Sequence, residues 1–321
     1  MSESQQKSQG VRFIEVDPEQ SGQRIDNFLL AQLKGVPRSY VYRILRKGEV
    51  RVNKGRAKAT YRLQVGDNIR IPPVRLPSQA EVTAPPRPVQ EQIEHSVIYE
   101  DDRLLVLDKP SGLAVHGGSG LSFGVIEALR ALRPNERHLE LVHRLDRDTS
   151  GCLLISKRNS VLRTLHELIR ENRVDKRYLA LLAGSWRKGR QVVRMPLRKN
   201  TLQGGERVVR VDAEGKPAET RFVRLERFKR ATLVEAELIT GRTHQIRVHS
   251  AWLGSPVIGD VKYGDEEANR WSRSLGLRRL FLHAVSLKFK WPGEKQAMEI
   301  HTDLPPELEE FMQKLRQDNE I

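Results

Sequence analysis

The chain reads as an α+β protein in two parts, a small basic unit followed by a larger mixed domain. Three observations carry that reading. Strand-length apolar runs recur at Leu104 to Leu107, Leu153 to Ile155, Tyr178 to Leu182, Ala231 to Leu238 and Phe281 to Phe289. Some follow one another with no helical stretch between them, which argues against a doubly wound parallel sheet. Between Arg24 and Ile71 stand twelve Lys or Arg and three Asp or Glu, a net of +9 and well over half of the chain's +15. Finally, Pro72 to Val89 holds six prolines and few large apolar residues, the composition of a stiff, extended tether.

The elements follow in order. Residues 1–22 read as a polar N-terminal tail. In the basic unit, residues 23–72, Ile25, Phe28, Leu29 and Leu33 recur at helical spacing, and Gly35 closes that helix. Pro37 opens a second helix that turns Val41, Ile44 and Leu45 inward and stops at Gly48. Val50 and Val52 then alternate as in a strand, Asn53-Lys54-Gly55 turns, and Val65-Gly66-Asp67 turns again before Ile69 and Ile71. The proline-rich linker spans 73–92. The mixed domain, 93–321, adds helical spacing at Val125, Ile126, Leu129 and Leu132, and again from Val161 to Ile169.

Composition bounds the function. At 321 residues the chain can bury a large core. Its charge makes a polyanion the expected partner, because lysine and arginine displace counterions from a phosphate backbone. No segment approaches the roughly 18 consecutive apolar residues of a membrane span, and Met1 to Gly10 lacks an apolar signal core. The expectation is a cytoplasmic protein with no membrane partner. The single cysteine, Cys152, lies in an apolar run and can neither close an internal disulfide nor anchor a thiolate metal cluster.

One run is unlike the rest. His143-Arg144-Leu145-Asp146-Arg147-Asp148-Thr149-Ser150-Gly151 lies between the apolar segments Leu139 to Val142 and Cys152 to Ile155, so it reads as strand, irregular turn, strand. Two acids and two arginines crowd five residues. A solvated charged turn is the ordinary reading of such a run. A carboxylate flanked by cations is also one held ready to act as nucleophile or base.

This segment resembles the Arg-Leu-Asp-x-x-Thr-Ser-Gly signature of the pseudouridine synthases, in the branch that modifies uridines in ribosomal RNA. Three further segments resemble that family's motifs: Asp108-Lys109-Pro110-Ser111-Gly112-Leu113-Ala114-Val115-His116, Lys176-Arg177-Tyr178-Leu179-Ala180, and Thr240 to His249. The resemblance implies a mixed, mostly antiparallel sheet with a central cleft. It implies Asp146 as the catalytic residue, Arg247 as its ion-pair partner, and Tyr178 stacked on the uracil, with a weaker implied role in removing the C5 proton. Arg144 is implied to fill the space left by the flipped base. The loop at Asp108 to His116 is read as scaffold, with one satisfied lysine. Residues Arg46 to Asn53 and Gly66 to Ile71 resemble the RNA-binding S4 domain, with Arg38, Arg43, Arg46, Lys47 and Lys54 as candidate backbone contacts. The implied substrate is large-subunit (23S) ribosomal RNA and the implied oligomeric state a monomer.

Such an isomerisation oxidises, hydrolyses and phosphorylates nothing, so no cofactor is expected. The chain shows neither GxGxxG nor GxxxxGK[ST]. His244 and His249, five apart on what reads as a strand, point to opposite faces, and no metal site is expected. Two rival readings stand beside this one: a non-catalytic ribosomal RNA-binding assembly factor, and a metal-dependent nuclease using Asp146 with Asp148 or with Asp101 and Asp102.

Overall fold

The structure, a computed structural model, describes residues 10–73, 85–117, 123–201 and 207–319, apart from 19, 34, 35, 37, 137 and 188 and the side chains of 38, 39, 201, 207 and 319. Gly35 and Pro37, read above as helix stop and start, lie outside the described residues. The chain divides into two compact units, residues 1–82 and 83–321, each described by itself.

In the first unit β1 (Arg12–Glu15), β2 (Arg51–Val52), β3 (Gly55–Arg56) and β4 (Asn68–Ile71) form an antiparallel sheet ordered β1-β4-β2-β3. Helices α1 (Ile25–Gln32) and α2 (Arg38–Lys47) cover one face. Their apolar stripes, Ile25, Phe28 and Leu29 on α1 and Val41, Ile44 and Leu45 on α2, bury against Val52, Ile69 and Ile71. Gly48, at φ +69°, ends α2. Asn53 and Lys54, both at positive φ, make the two-residue turn between β2 and β3.

Strand β1 corrects the expectation of a polar tail through residue 22. Arg12–Glu15 pairs with β4 in register, and Val16 behind it is buried. The sequence hid it because Phe13 points to solvent, leaving Ile14 as the strand's single inward apolar residue. The linker reading needs a correction too. Helix α3 (Arg87–His95) begins inside the proline-rich segment, with Pro88 in its first turn and Ile93 fully buried. Proline is pre-shaped for a helix start, so part of what read as stiffening is initiation.

The second unit is built on β5 (Val97–Glu100), β6 (Leu104–Lys109), β7 (Glu140–Leu141), β8 (Ser150–Ser156), β9 (Val174–Ala183), β10 (Arg190–Val193), β13 (Thr220–Arg227), β14 (Ala231–Leu238), β15 (Leu282–Phe289) and β16 (Met298–His301). Together they make a ten-stranded sheet with the path β10-β13-β14-β9-β15-β8-β6-β5, with β16 beside β15 and β7 beside β8. Every pairing is antiparallel except β15 with β8 at the centre, as the α+β reading expects. A hairpin of β11 (Leu197–Thr201) and β12 (Arg207–Val211) forms a separate two-stranded sheet whose Leu197 and Val209 pack with Val248.

Alternation along the strands gives the sheet two buried faces. On one, Leu105, Leu107, Leu153 and Ile155 pack with Ile93 of α3, with α4 (Val125–Leu132), and with Ile246 of α6 (Gln245–Trp252). On the other, Leu104, Val106 and Leu154 meet α5 (Asn159–Arg170), while Leu181, Leu233 and Phe281 meet α8 (Pro306–Asn319). Helix α7 (Glu266–Ser274) completes the unit. Cys152 is buried, and burial pushes its thiol up to about 11, consistent with a small apolar residue rather than a nucleophile.

Candidate active site

The signature loop leaves β7 and enters the sheet at β8. Two of its features come from close packing. Gly151 sits at φ +109°, and a Cβ there would lie 2.3 Å from the carbonyl oxygen of Ala284 on the parallel neighbour β15, so the position requires glycine. Lys109, fully buried at the end of β6, donates to the carbonyls of Pro110, Leu113 and Arg147 at 2.7, 2.8 and 3.0 Å. Desolvation in that position pushes its ammonium down to about 7. Gly112 N donates to the Arg147 carbonyl at 2.9 Å and Ser111 Oγ to that of Asp148 at 2.7 Å. The loop at Asp108 to His116 therefore clamps the signature loop through its main chain.

Within the clamp, Leu145 is buried in the core while Asp146 keeps 18% of its side chain exposed. Its cation comes from a distant part of the sequence. Arg247, on the first turn of α6, brings Nη1 to 3.4 Å from Asp146 Oδ2. The same guanidinium is gripped from behind by Asp260, which accepts from Nε at 2.7 Å and Nη2 at 2.8 Å. Asp260 also accepts from the backbone N–H of Lys262 and of Tyr263. Burial alone raises the Asp260 carboxyl, but the Arg247 fork and these backbone donors outweigh it and hold it below the usual carboxylate range. The same fork, together with Asp146, keeps Arg247 charged despite its burial.

Asp146 opens into a cavity of about 260 Å³ whose lining includes Arg144, Lys176, Tyr178, Leu238, Ile246 and Arg247. The size and the mostly apolar lining suit one flat heterocycle with few polar contacts. Tyr178, on β9, is 7% exposed, and burial followed by the Asp146 charge raises its hydroxyl, which stays protonated at neutral pH. Arg144 is exposed at the same cavity. Its neighbour Arg147 turns away to Asp148, Nε to Oδ1 at 2.9 Å. So the flanking arginines do not sandwich Asp146, as the sequence suggested. The cation beside it is Arg247.

Comparison with known proteins decides the family. The RNA pseudouridylate synthase family matches residues 103–252, which contain Asp146, Tyr178 and Arg247, and the S4 domain family matches residues 23–69. The chain is 55% identical over 312 residues to ribosomal large subunit pseudouridine synthase C of Pasteurella multocida, covering 97% of this chain and 95% of that one. It is 56% identical over 310 residues to the protein of that name from Escherichia coli K12, covering 95% and 97%. This chain belongs to the RNA pseudouridylate synthases.

Among solved structures, human RNA pseudouridylate synthase domain containing 4 is 27% identical with a TM-score of 0.59, covering 71% of this chain and 95% of that one. The human domain containing 1 is 27% identical with a TM-score of 0.55, covering 69% and 94%. The second unit thus has the pseudouridine synthase fold, and the first matches an S4 domain.

Within the synthase domain, sequence reasoning missed three residues. Asp260, which fixes Arg247, lies in a loop where Gly259 and Gly264 allow close backbone approach; those two glycines, one before and four after an acid, were the available signal. His244 brings Nε2 to 3.8 Å from Asp146 and shares a 2.8 Å hydrogen bond between Nδ1 and the hydroxyl of Tyr263, the third. Burial lowers the His244 imidazole against the pull of Asp146.

The two histidines also correct the strand reading of Thr240 to His249. His244, at φ +54°, caps α6, and His249 lies inside that helix, bonded to Thr220 Oγ1 and the Met195 carbonyl. Of the candidate RNA contacts in the S4 unit, Arg43, Arg46, Lys47 and Lys54 are exposed, with Arg43 lying 4.4 Å from the Tyr40 ring centroid. The side chain of Arg38 lies outside the described residues.

Proposed function

We propose that this synthase isomerises uridines to pseudouridine in large-subunit (23S) ribosomal RNA, with Asp146 as the catalytic carboxylate. The supporting observation is the cavity in which Asp146 faces Arg247, itself locked by Asp260, beside an aromatic wall. Isomerisation breaks the N1 to C1′ bond, turns the uracil, and joins C5 to C1′, with N1 gaining a proton and C5 losing one. A single carboxylate at the sugar, attacking C1′ or removing the C2′ proton, accounts for the protein's part. Arg247 holds that carboxylate in place. Tyr178, protonated, serves as a stacking wall rather than as the base for C5. The mostly apolar cavity, covered by the bound RNA, retains the detached uracil against loss to water.

The base must first leave its stack, at a cost of a few kcal/mol. Arg144, exposed at the cavity, occupies the vacated space. The S4 unit holds the RNA backbone through Arg38, Arg43, Arg46, Lys47 and Lys54, and its tether to the catalytic domain raises the local concentration of target. The chain works as a cytoplasmic monomer and needs no metal.

Replacing Asp146 tests the reading. Asp146→Asn should cut pseudouridine formation on 23S transcripts, mapped with carbodiimide, by about 10⁴-fold, while RNA affinity stays near that of the parent. Turnover by Asp146→Asn at the parent rate would end the assignment. A chelator should leave turnover unchanged and RNA length intact, which also separates this reading from a nuclease.

A further inference from the structure

The S4 unit has a second surface that the helices leave open. On the face of its sheet away from α1 and α2, the register places Phe13 opposite Arg70, Arg70 opposite Arg51, and Arg51 opposite Arg56. Directly opposed residues have Cβ atoms about 4.5–5.5 Å apart, and like charges in that relation destabilise a sheet. Arg70 and Arg51 are therefore held side by side against a folding cost, while the Arg56 side chain packs over Gly48 at the end of α2. Beside them Phe13 is 65% exposed.

Phe13, Arg51, Lys54 and Arg70, together with Asn53 and Asn68, line a hollow of about 700 Å³. Glu15, on the same face of β1, is not among its lining residues. Arg70 is fixed by donating to the Glu49 carbonyl at 2.9 Å, and Lys54 is held at φ +67°, in a turn position where glycine is the usual residue. An exposed aromatic ring beside one fixed guanidinium and two further cations matches the chemistry of unpaired nucleotides. The base stacks on the ring and the phosphates meet the guanidinium groups. A duplex offers the phosphates but no free base face.

We infer that this open sheet face binds a single-stranded RNA segment, with a base stacked on Phe13 and the flanking phosphates on Arg51, Lys54 and Arg70. Phe13 lies outside the matched S4 segment, residues 23–69, and on the opposite side of the unit from the exposed cations of α2. The inference rests on RNA being the partner, but it adds a site and a strand state. An unpaired stretch held here would leave α2 free to grip a second part of the same RNA.

The test uses the full chain with a labelled oligouridylate of about twelve nucleotides and a labelled hairpin duplex. Phe13→Ala should weaken oligouridylate binding about tenfold, the size of one lost stack, and change hairpin binding by less than about twofold. Phe13→Trp should restore affinity, and its added fluorescence should be quenched by the oligouridylate and not by the hairpin. Phe13→Ala binding oligouridylate as the parent does, with its thermal unfolding unchanged, overturns the proposal alone. Equal losses on both probes overturn it as well, since the face would then be a charged surface without a stack. If the parent bound neither probe, the RNA reading itself would fall with it.

Discussion

The two units use positive charge in opposite ways. In the synthase domain, the cations that frame Asp146 are tied down: Arg247 by Asp260 and Asp146, and Lys109 by three carbonyls. In the S4 unit, Arg43, Arg46, Lys47 and Lys54 stand exposed, and the buried acid Asp26 takes Arg24 alone as its ion-pair partner among the described residues. Tied charge builds a rigid frame for one carboxylate. Presented charge waits for a polyanion. Breaking the first should therefore harm both fold and chemistry, whereas thinning the second should touch affinity alone.

The largest effect is expected where tied charge is released. Asp260→Ala leaves Arg247 buried with the 3.4 Å contact to Asp146 as its one carboxylate among the described residues, beside the Tyr263 ring. Stripping one partner from a buried pair costs about 3–5 kcal/mol, which denaturant unfolding would register. The freed guanidinium should also shift and pull Asp146 out of line, lowering turnover about 10²-fold with RNA affinity unchanged. If the variant matched the parent in both respects, the frame would not depend on Asp260.

Next comes the backbone that carries Asp146. Gly151→Ala puts a methyl group 2.3 Å from the Ala284 carbonyl at a φ that L-residues avoid. Overpacking and strain together should cost about 3 kcal/mol in chemical denaturation. The same change at Gly66 of the S4 unit, also at positive φ but with nothing within 4 Å of the added carbon, should cost about 1 kcal/mol. Equal losses at the two glycines would mean that close approach by β15 is not what the signature glycine serves.

These contrasts explain what the sequence made legible. Elements with local periodicity were readable: α2, α4 and α5 from their apolar spacing, and β14 to its ends, Ala231 and Leu238. Strand β1 was not, because its outward Phe13 breaks the alternation a half-buried strand shows. Asp146, Tyr178, Arg144 and Arg247 were named through motif resemblance, and all line one cavity. Asp260 was invisible because its value lies in a contact with Arg247, thirteen residues away across a turn, which no periodicity encodes. The arginines flanking Asp146 misled for the converse reason: adjacency in sequence gave Arg147 to Asp148.

Acid should separate the units, because each buries a different titrating group. His283 is fully buried between Ser150 Oγ and Thr302 Oγ1, and desolvation lowers it from 6.5 to about 4. Between those values the unfolded chain binds a proton that the folded domain does not, so stability falls as pH drops from 6.5 toward 4. At up to 1.36 kcal/mol per pH unit, tapering near pH 4, the loss is about 3 kcal/mol. Asp26 is lowered from 3.8 to about 2 by its hydrogen bonds from Arg24, with smaller help from Tyr42. Its contribution is present above 3.8 and lost only as pH falls toward 2. All four tryptophans lie in the synthase domain. Their fluorescence should report unfolding at a milder acidity than the tyrosines of the S4 unit, and His283→Gln should shrink the fluorescence transition between pH 6.5 and 4, the remainder coming from His143, which burial also pushes down to about 4.

The smallest effect should come from thinning presented charge. Arg46, exposed in the last turn of α2, makes Arg46→Gln a surface change, so stability should move by no more than about 0.5 kcal/mol. Removing one phosphate contact should weaken binding to every RNA sequence by a similar factor and reduce the slope of log affinity against log salt by about 0.7–1. A titration of parent and variant across salt concentrations reads both quantities. An unchanged slope would mean that Arg46 never met a phosphate. A loss confined to one sequence would make it a base reader, and presented charge in this unit would then specify as well as hold.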